Sequence, residues 1–136
     1  MSLISNLPAQ AVLPLNAYDL DALMKDAVRA DQTILRADFG SVSDKPGVMG
    51  ELASGFALPE HFGRNLDALA DCLSELEPEE ADRPGFVVIL RDLPNGPGFD
   101  RDQRDALLDV FRDASDVFDE RGIAFRVFYS VRPAQG

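Results

Sequence analysis

The chain has 136 residues, with 24 Asp and Glu against 13 Lys and Arg, so its formal charge is −11 with the one His neutral. A domain this acidic repels phosphate backbones and anionic headgroups, which argues against direct nucleic-acid binding and against electrostatic membrane docking, and favours basic partners or cations. The length suits one compact domain, the 46% hydrophobic content argues against disorder, and the lone Cys72 removes both an intramolecular disulfide and a cysteine-based zinc site.

The first 24 residues hold no Lys or Arg, and Pro8 and Pro14 interrupt their apolar patches, unlike a secretory signal with a basic start and a continuous apolar middle. No run nears the roughly 18 apolar residues of a membrane span. With the sparse cysteine usage, the expected location is the cytoplasm.

Residues 1 to 16 suit an irregular arm or a short edge strand. Leu20, Leu23, Met24, Ala27 and Val28 then recur at helical spacing, with Asn16 or Asp19 as the N-cap. Thr33 to Phe39 reads as a strand, and Asp44 to Phe56 as a helix with Val48, Met49, Leu52 and Phe56 inward, ended by Pro59. From Asn65 to Leu76 the pattern is the clearest: Leu66, Leu69, Leu73 and Leu76 form one stripe, Asn65 fits the N-cap, and Asp67 sits against the positive end of the helix dipole. Cys72 falls at the edge of the buried side as a small hydrophobe.

Glu77 to Gly85 is a polar loop. Phe86 to Leu90 is continuously apolar, the mark of a strand buried on both faces, and Leu93 to Gly98 is a turn-rich connection. A long helix follows from Arg101 to Arg121, with Leu107, Phe111, Ala114 and Phe118 as its seam and Gly122 as its C-terminal stop. Ile123 to Ser130 is a third strand. Strands separated by helices predict an α/β fold with a three-stranded parallel sheet.

The charge is concentrated in two windows. Residues 60 to 82 carry eight acids against Arg64, net −7, and residues 99 to 121 carry eight against four arginines, net −4; the remainder is neutral. A solvated helix face is the plainest account of such a run. Yet Asp67, Asp71 and Glu75 stand at i, i+4 and i+8 on the outer face of one helix, and Asp102, Asp105, Asp109, Asp113 and Asp116 make a second stripe. Like charges at that spacing cost about 0.2 to 0.5 kcal/mol per pair. Two such stripes are consistent with a cationic partner that offsets the cost.

Catalytic groups are scarce. His61 is the only candidate imidazole base and has no Ser or Cys nucleophile at a diagnostic spacing, and there is no nucleophile elbow, phosphate-cradling glycine loop, calcium loop or zinc-binding His-Glu-x-x-His. No catalytic residue or cofactor is assigned. The acidic stripes leave a divalent-metal hydrolase as a minor alternative.

The run Leu58-Pro59-Glu60-His61-Phe62-Gly63-Arg64-Asn65-Leu66-Asp67-Ala68-Leu69-Ala70-Asp71-Cys72-Leu73 resembles the signature of the barstar family, intracellular inhibitors of ribonucleases. The resemblance continues through the strand at Phe86, through Val110-Phe111-Arg112-Asp113, and through the strand after Gly122. It divides the chain into an N-terminal arm and helix (residues 1–31), a barstar-like domain (32–131) and a C-terminal tail (132–136). It implies a three-stranded parallel sheet packed with helices, extended at the N-terminus by a helix. It also implies an immunity-type protein of a toxin–antitoxin pair, a monomer when free, that plugs the active site of a basic ribonuclease with an acidic helix. In that scheme Asp71 takes the place of a substrate phosphate. His61, Gly63, Asn65, Leu66, Asp67, Ala70 and Glu75 accompany it at the interface, and Asp113 is an acidic contact from the later helix. The sequence departs from the best-known member at His61, which replaces a tyrosine, and at Ala70 and Leu76, which replace tryptophans. The alternative is a binding module on the same fold that recognises another basic protein.

Overall fold

The computed structural model describes residues 7–59, 62–78 and 85–133. Strand β1 (Gln10–Pro14) and a short 3-10 turn (Leu15–Ala17) lead into helix α1 (Leu20–Arg29), strand β2 (Thr33–Asp38) and helix α2 (Lys45–Gly55). Helix α3 (Leu66–Ser74), strand β3 (Gly85–Leu93), helix α4 (Arg101–Glu120) and strand β4 (Ala124–Val131) complete the fold. All strands are parallel, in the order β1-β4-β3-β2.

The sheet therefore has four strands, one more than expected. The added strand is β1, which pairs along β4 from Gln10 opposite Phe125 to Pro14 opposite Tyr129. At five residues, with a proline at its end and another two residues before its start, it shows no usable periodicity. It persists because it lies at an edge, where a missing proline N–H costs no ladder bond. Two side chains fasten it: Gln10 donates to the Ile123 carbonyl at 2.7 Å, and the buried Arg126 donates to the Pro8 carbonyl at 3.0 Å. Burial pushes the Arg126 guanidinium pKa down.

The connection from β1 to β2 crosses the sheet in one direction, and those from β2 to β3 and β3 to β4 return in the other. Right-handed crossovers then require α1 on one face and α2, α3 and α4 on the opposite face. The alternation of β3 fits this arrangement. Phe86, Val88 and Leu90 join Met49, Leu52, Leu69, Leu73, Leu107 and Phe111 in the larger core, while Val87 and Ile89 join Leu23, Ala27, Leu15 and Phe128 in the smaller. Val28, expected on the buried stripe of α1, is instead 65% exposed. That stripe is centred on Leu23, Asp26 and Ala27, which rotates Val28 outward.

Helix ends follow local chemistry. Asp19, Asp44, Asn65 and Asp100 cap the four α-helices through their side chains, and Asp100 with Gln103 closes a capping box. Gly122, at φ +71, follows α4, with Gly122 N–H bonding Asp119 and Ile123 N–H bonding Phe118, a Schellman stop as its glycine predicts. Phe86, Phe118 and Phe125 pack ring against ring at 5.0 to 5.9 Å, which sets α4 against β3 and β4. No helix among the described residues is long and apolar enough to cross a membrane.

Candidate partner-binding surface

The surface begins at the turn before α3. Arg64 adopts a left-handed conformation at φ 54, after which Asn65 is extended and its Oδ1 accepts the Ala68 N–H at 2.8 Å, while its Nδ2 donates to the Gly63 carbonyl at 3.3 Å. A Cβ at Gly63 would lie in van der Waals contact with Ala68 and Asn65, each 3.4 Å away, so the turn is closely packed there. Gly63 and Asn65 thus shape the entry to α3 and stay exposed. Nearly the whole inward side of α3 is Leu69 and Leu73, both fully buried, and Leu66 and Ala70 are half-buried at its margin.

Outward, the chain presents Asp67, Asp71 and Glu75, all exposed. None of the three forms an ion pair among the described residues. Two arginines lie at the ends of the stripe. The Arg64 guanidinium lies back toward α2, 4.0 Å from the Cβ position of Gly50. Arg121 bonds the Ser74 carbonyl at 3.2 Å and Glu77 at 3.3 Å while lying 5.1 Å over the Phe118 ring. The negative field is felt by the half-buried Cys72, whose thiol pKa is pushed up first by burial and then by Glu75 and Asp71.

Helices α3 and α4 lie side by side with their N-terminal ends together: Leu66 lines a cleft with Asp102, Gln103 and Ala106, and Ser74 meets Arg121 at the other end. On α4 the edge carrying these contacts includes Ala106, Val110, Asp113 and Val117 by helical spacing, so Asp113 is brought to the α3 side. The rest of the second acidic window is divided. Asp109 pairs with Arg112 at 2.8 Å and Asp105 lies 3.9 Å from Arg101, while Asp116 and Arg112 line a groove with Gln10, Ala11 and Val12 at the β1 side. The expected single stripe on α4 is therefore partly neutralised, and the exposed carboxylates on the α3 side are Asp102, at the N-terminal end beside Leu66, and Asp113 farther along.

His61 lies outside the described residues, as do Glu60, Glu79, Glu80 and Asp82. Leu76, expected to close the inward stripe of α3, falls beyond the end of the helix, where it packs half-buried on the larger core. Val117 is a member of this surface that the acidic pattern does not flag. It is 39% exposed, and its one signal is its place four residues after Asp113. Among the described residues no three His, Cys, Asp or Glu side chains converge for a metal ion.

Residues 32–130 match the family model described as Barstar (barnase inhibitor). The chain belongs to the barstar family. No curated protein matches it. Barstar-family membership accounts for β2 through β4 and the three helices between them; β1 and α1 precede the matched region yet complete the same sheet and its second core.

Proposed function

We propose that this barstar-family chain inhibits a basic ribonuclease by seating α3 in its active site, with Asp71 standing where a substrate phosphate would stand among cationic groups. The observation that carries this reading is the exposed run Asp67, Asp71 and Glu75, without ion pairs among the described residues and flanked by Asp113. Carboxylates held this close without counter-charge repel each other in the free protein and gain when a cationic cleft covers them. Gly63, Asn65, Leu66 and Ala70 give the helix end its shape, and Asp113 meets the partner from α4. Such an inhibitor protects the cell that makes the enzyme, so its work belongs in the cytoplasm.

The acidic field also steers encounter, and the pair barnase and barstar is a standing example of such steering. Association is expected to slow as salt screens the charges, whereas dissociation changes little.

Steady-state RNA cleavage by barnase and by the basic ribonucleases encoded in the same genome tests the proposal. Inhibition that raises the apparent KM and leaves kcat unchanged supports it; no inhibition and no binding across that set overturns it. The half-buried Ala70, where family members carry a large aromatic, favours a second reading in which the same surface holds a basic protein that is not a nuclease. Capture at low salt of such a protein, released by Asp71→Ala, is the outcome that reading requires.

A further inference from the structure

Where the first turns of α2, α3 and α4 meet, the surface opens into a cleft of about 220 Å3. Its walls are Leu66, Gln103 and Ala106 over a floor of the buried Met49 and Phe99, and the exposed Lys45 and Asp102 stand at its mouth. We infer that this cleft receives one aromatic side chain from a loop of the ribonuclease held at α3, an inference that rests on the function proposed above.

Three observations favour that occupant. The cleft is continuous with the proposed interface, since Leu66 is both its wall and the first residue of α3 after the Asn65 cap. Interfaces are commonly anchored by an aromatic group in a desolvated pocket, and this chain, with no Trp of its own to insert, offers a pocket beside Leu66 instead. The lining also suits a ring. Leu66 and Ala106 supply the accessible apolar surface, the buried Met49 and Phe99 close the floor beneath it, and Lys45 offers an ammonium able to sit over a ring face. Lys45 and Asp102 together leave the mouth without net charge, so an Arg or Lys head gains nothing there to offset losing water against the apolar walls, which leaves an aromatic group as the better match from a basic enzyme.

The test has two arms. In the first, N-acetyltryptophanamide is titrated into the full chain with methyl NMR detection at Met49, Leu66 and Ala106. Saturable shifts there, lost in Ala106→Phe, which fills the cleft from within, support the inference; absence of saturable shifts in the wild type overturns it. The second arm measures inhibition of the best-inhibited ribonuclease by wild type, Ala106→Phe, Ala106→Leu and Asp71→Ala, each checked for cooperative unfolding. Ala106→Leu adds a good helix former and guards against misfolding of the larger variant. The cleft-filling variants are expected to weaken inhibition at least about tenfold. If Asp71→Ala weakens inhibition and both Ala106 variants leave it unchanged, the aromatic anchor is wrong and the inhibitor reading stands. If no ribonuclease is inhibited, or Asp71→Ala changes nothing, the inhibitor reading fails and the anchor with it.

Discussion

On one face of the sheet, α1 and Leu15 cover Val87, Ile89 and Phe128, and α1 turns outward Asp21, Lys25, Val28 and Arg29, a mixed and nearly neutral surface. On the other face, α2, α3 and α4 cover Phe86, Val88 and Leu90 and turn outward a surface dominated by carboxylates. Strand β3 is equally buried by both. The difference lies in what each face does with its exterior: the first balances its charges as an ordinary solvated helix does, and the second keeps Asp67, Asp71 and Glu75 together without an ion pair among the described residues. On the function proposed above, recognition belongs to the second face alone, so that the first can be perturbed without it.

The largest perturbation removes residues 1–29. The family match begins only at residue 32, yet this deletion strips β1 and α1 from the sheet and exposes Val87, Ile89 and Phe128. The shortened chain is expected to lose cooperative unfolding by circular dichroism. A sharp transition near that of the full chain would show that the α1 face is dispensable. Next, Phe128→Ala empties a fully buried site whose ring also meets Tyr18 edge-on at 5.4 Å between centroids. It should cost about 3–5 kcal/mol in urea titration, while inhibition by the fraction still folded stays at the wild-type value. A change in inhibition would join the two faces that the comparison separates.

Asn65→Ala bears on both properties at once, because the cap that starts α3 also positions the proposed surface. Loss of its bond to the Ala68 N–H should cost about 1 kcal/mol of stability and weaken partner binding. The smallest effect concerns Cys72. Burial and the adjacent carboxylates raise its thiol pKa. Stability drawn from the neutral thiol is complete below the unfolded-state pKa and is lost as pH rises through the folded one. Since only the thiolate attacks, iodoacetamide near pH 8 should alkylate the folded chain more slowly than the urea-unfolded chain. Equal rates would mean that neither burial nor the adjacent carboxylates protect the thiol in the folded chain.

Much of the larger core was readable in advance because its elements are long or strongly patterned. Phe86 to Leu90 announces a strand buried on both sides, and the seam through Leu107, Phe111, Ala114 and Phe118 announces α4. β1 was not readable as a definite strand, since Gln10–Pro14 is short, bounded by prolines, and depends on a β4 partner more than a hundred residues away. The outward turn of Val28 was hidden for a related reason: the rotation of α1 is set by tertiary packing around Leu23 and Ala27. At the candidate surface, the acidic residues and the Asn65 cap follow from sequence spacing. The splitting of the α4 acids between Arg pairs, the β1 groove and the α3 side does not, because it depends on how α4 lies against its neighbours.

The comparison is tested most directly by the inhibition constants of Asp71→Ala and Asp109→Ala against the same ribonuclease. Both residues are exposed carboxylates on acidic helices, and neither substitution removes a core contact, so both variants should unfold within about 0.5 kcal/mol of wild type. Asp71 lies on the stripe of α3 and Asp109 is paired with Arg112 on α4. Asp71→Ala is expected to weaken inhibition by at least about 2 kcal/mol, close to thirtyfold, and Asp109→Ala by less than about threefold. Equal losses from the two variants would contradict the account, reducing the acidic surface to net charge with no defined contact at α3.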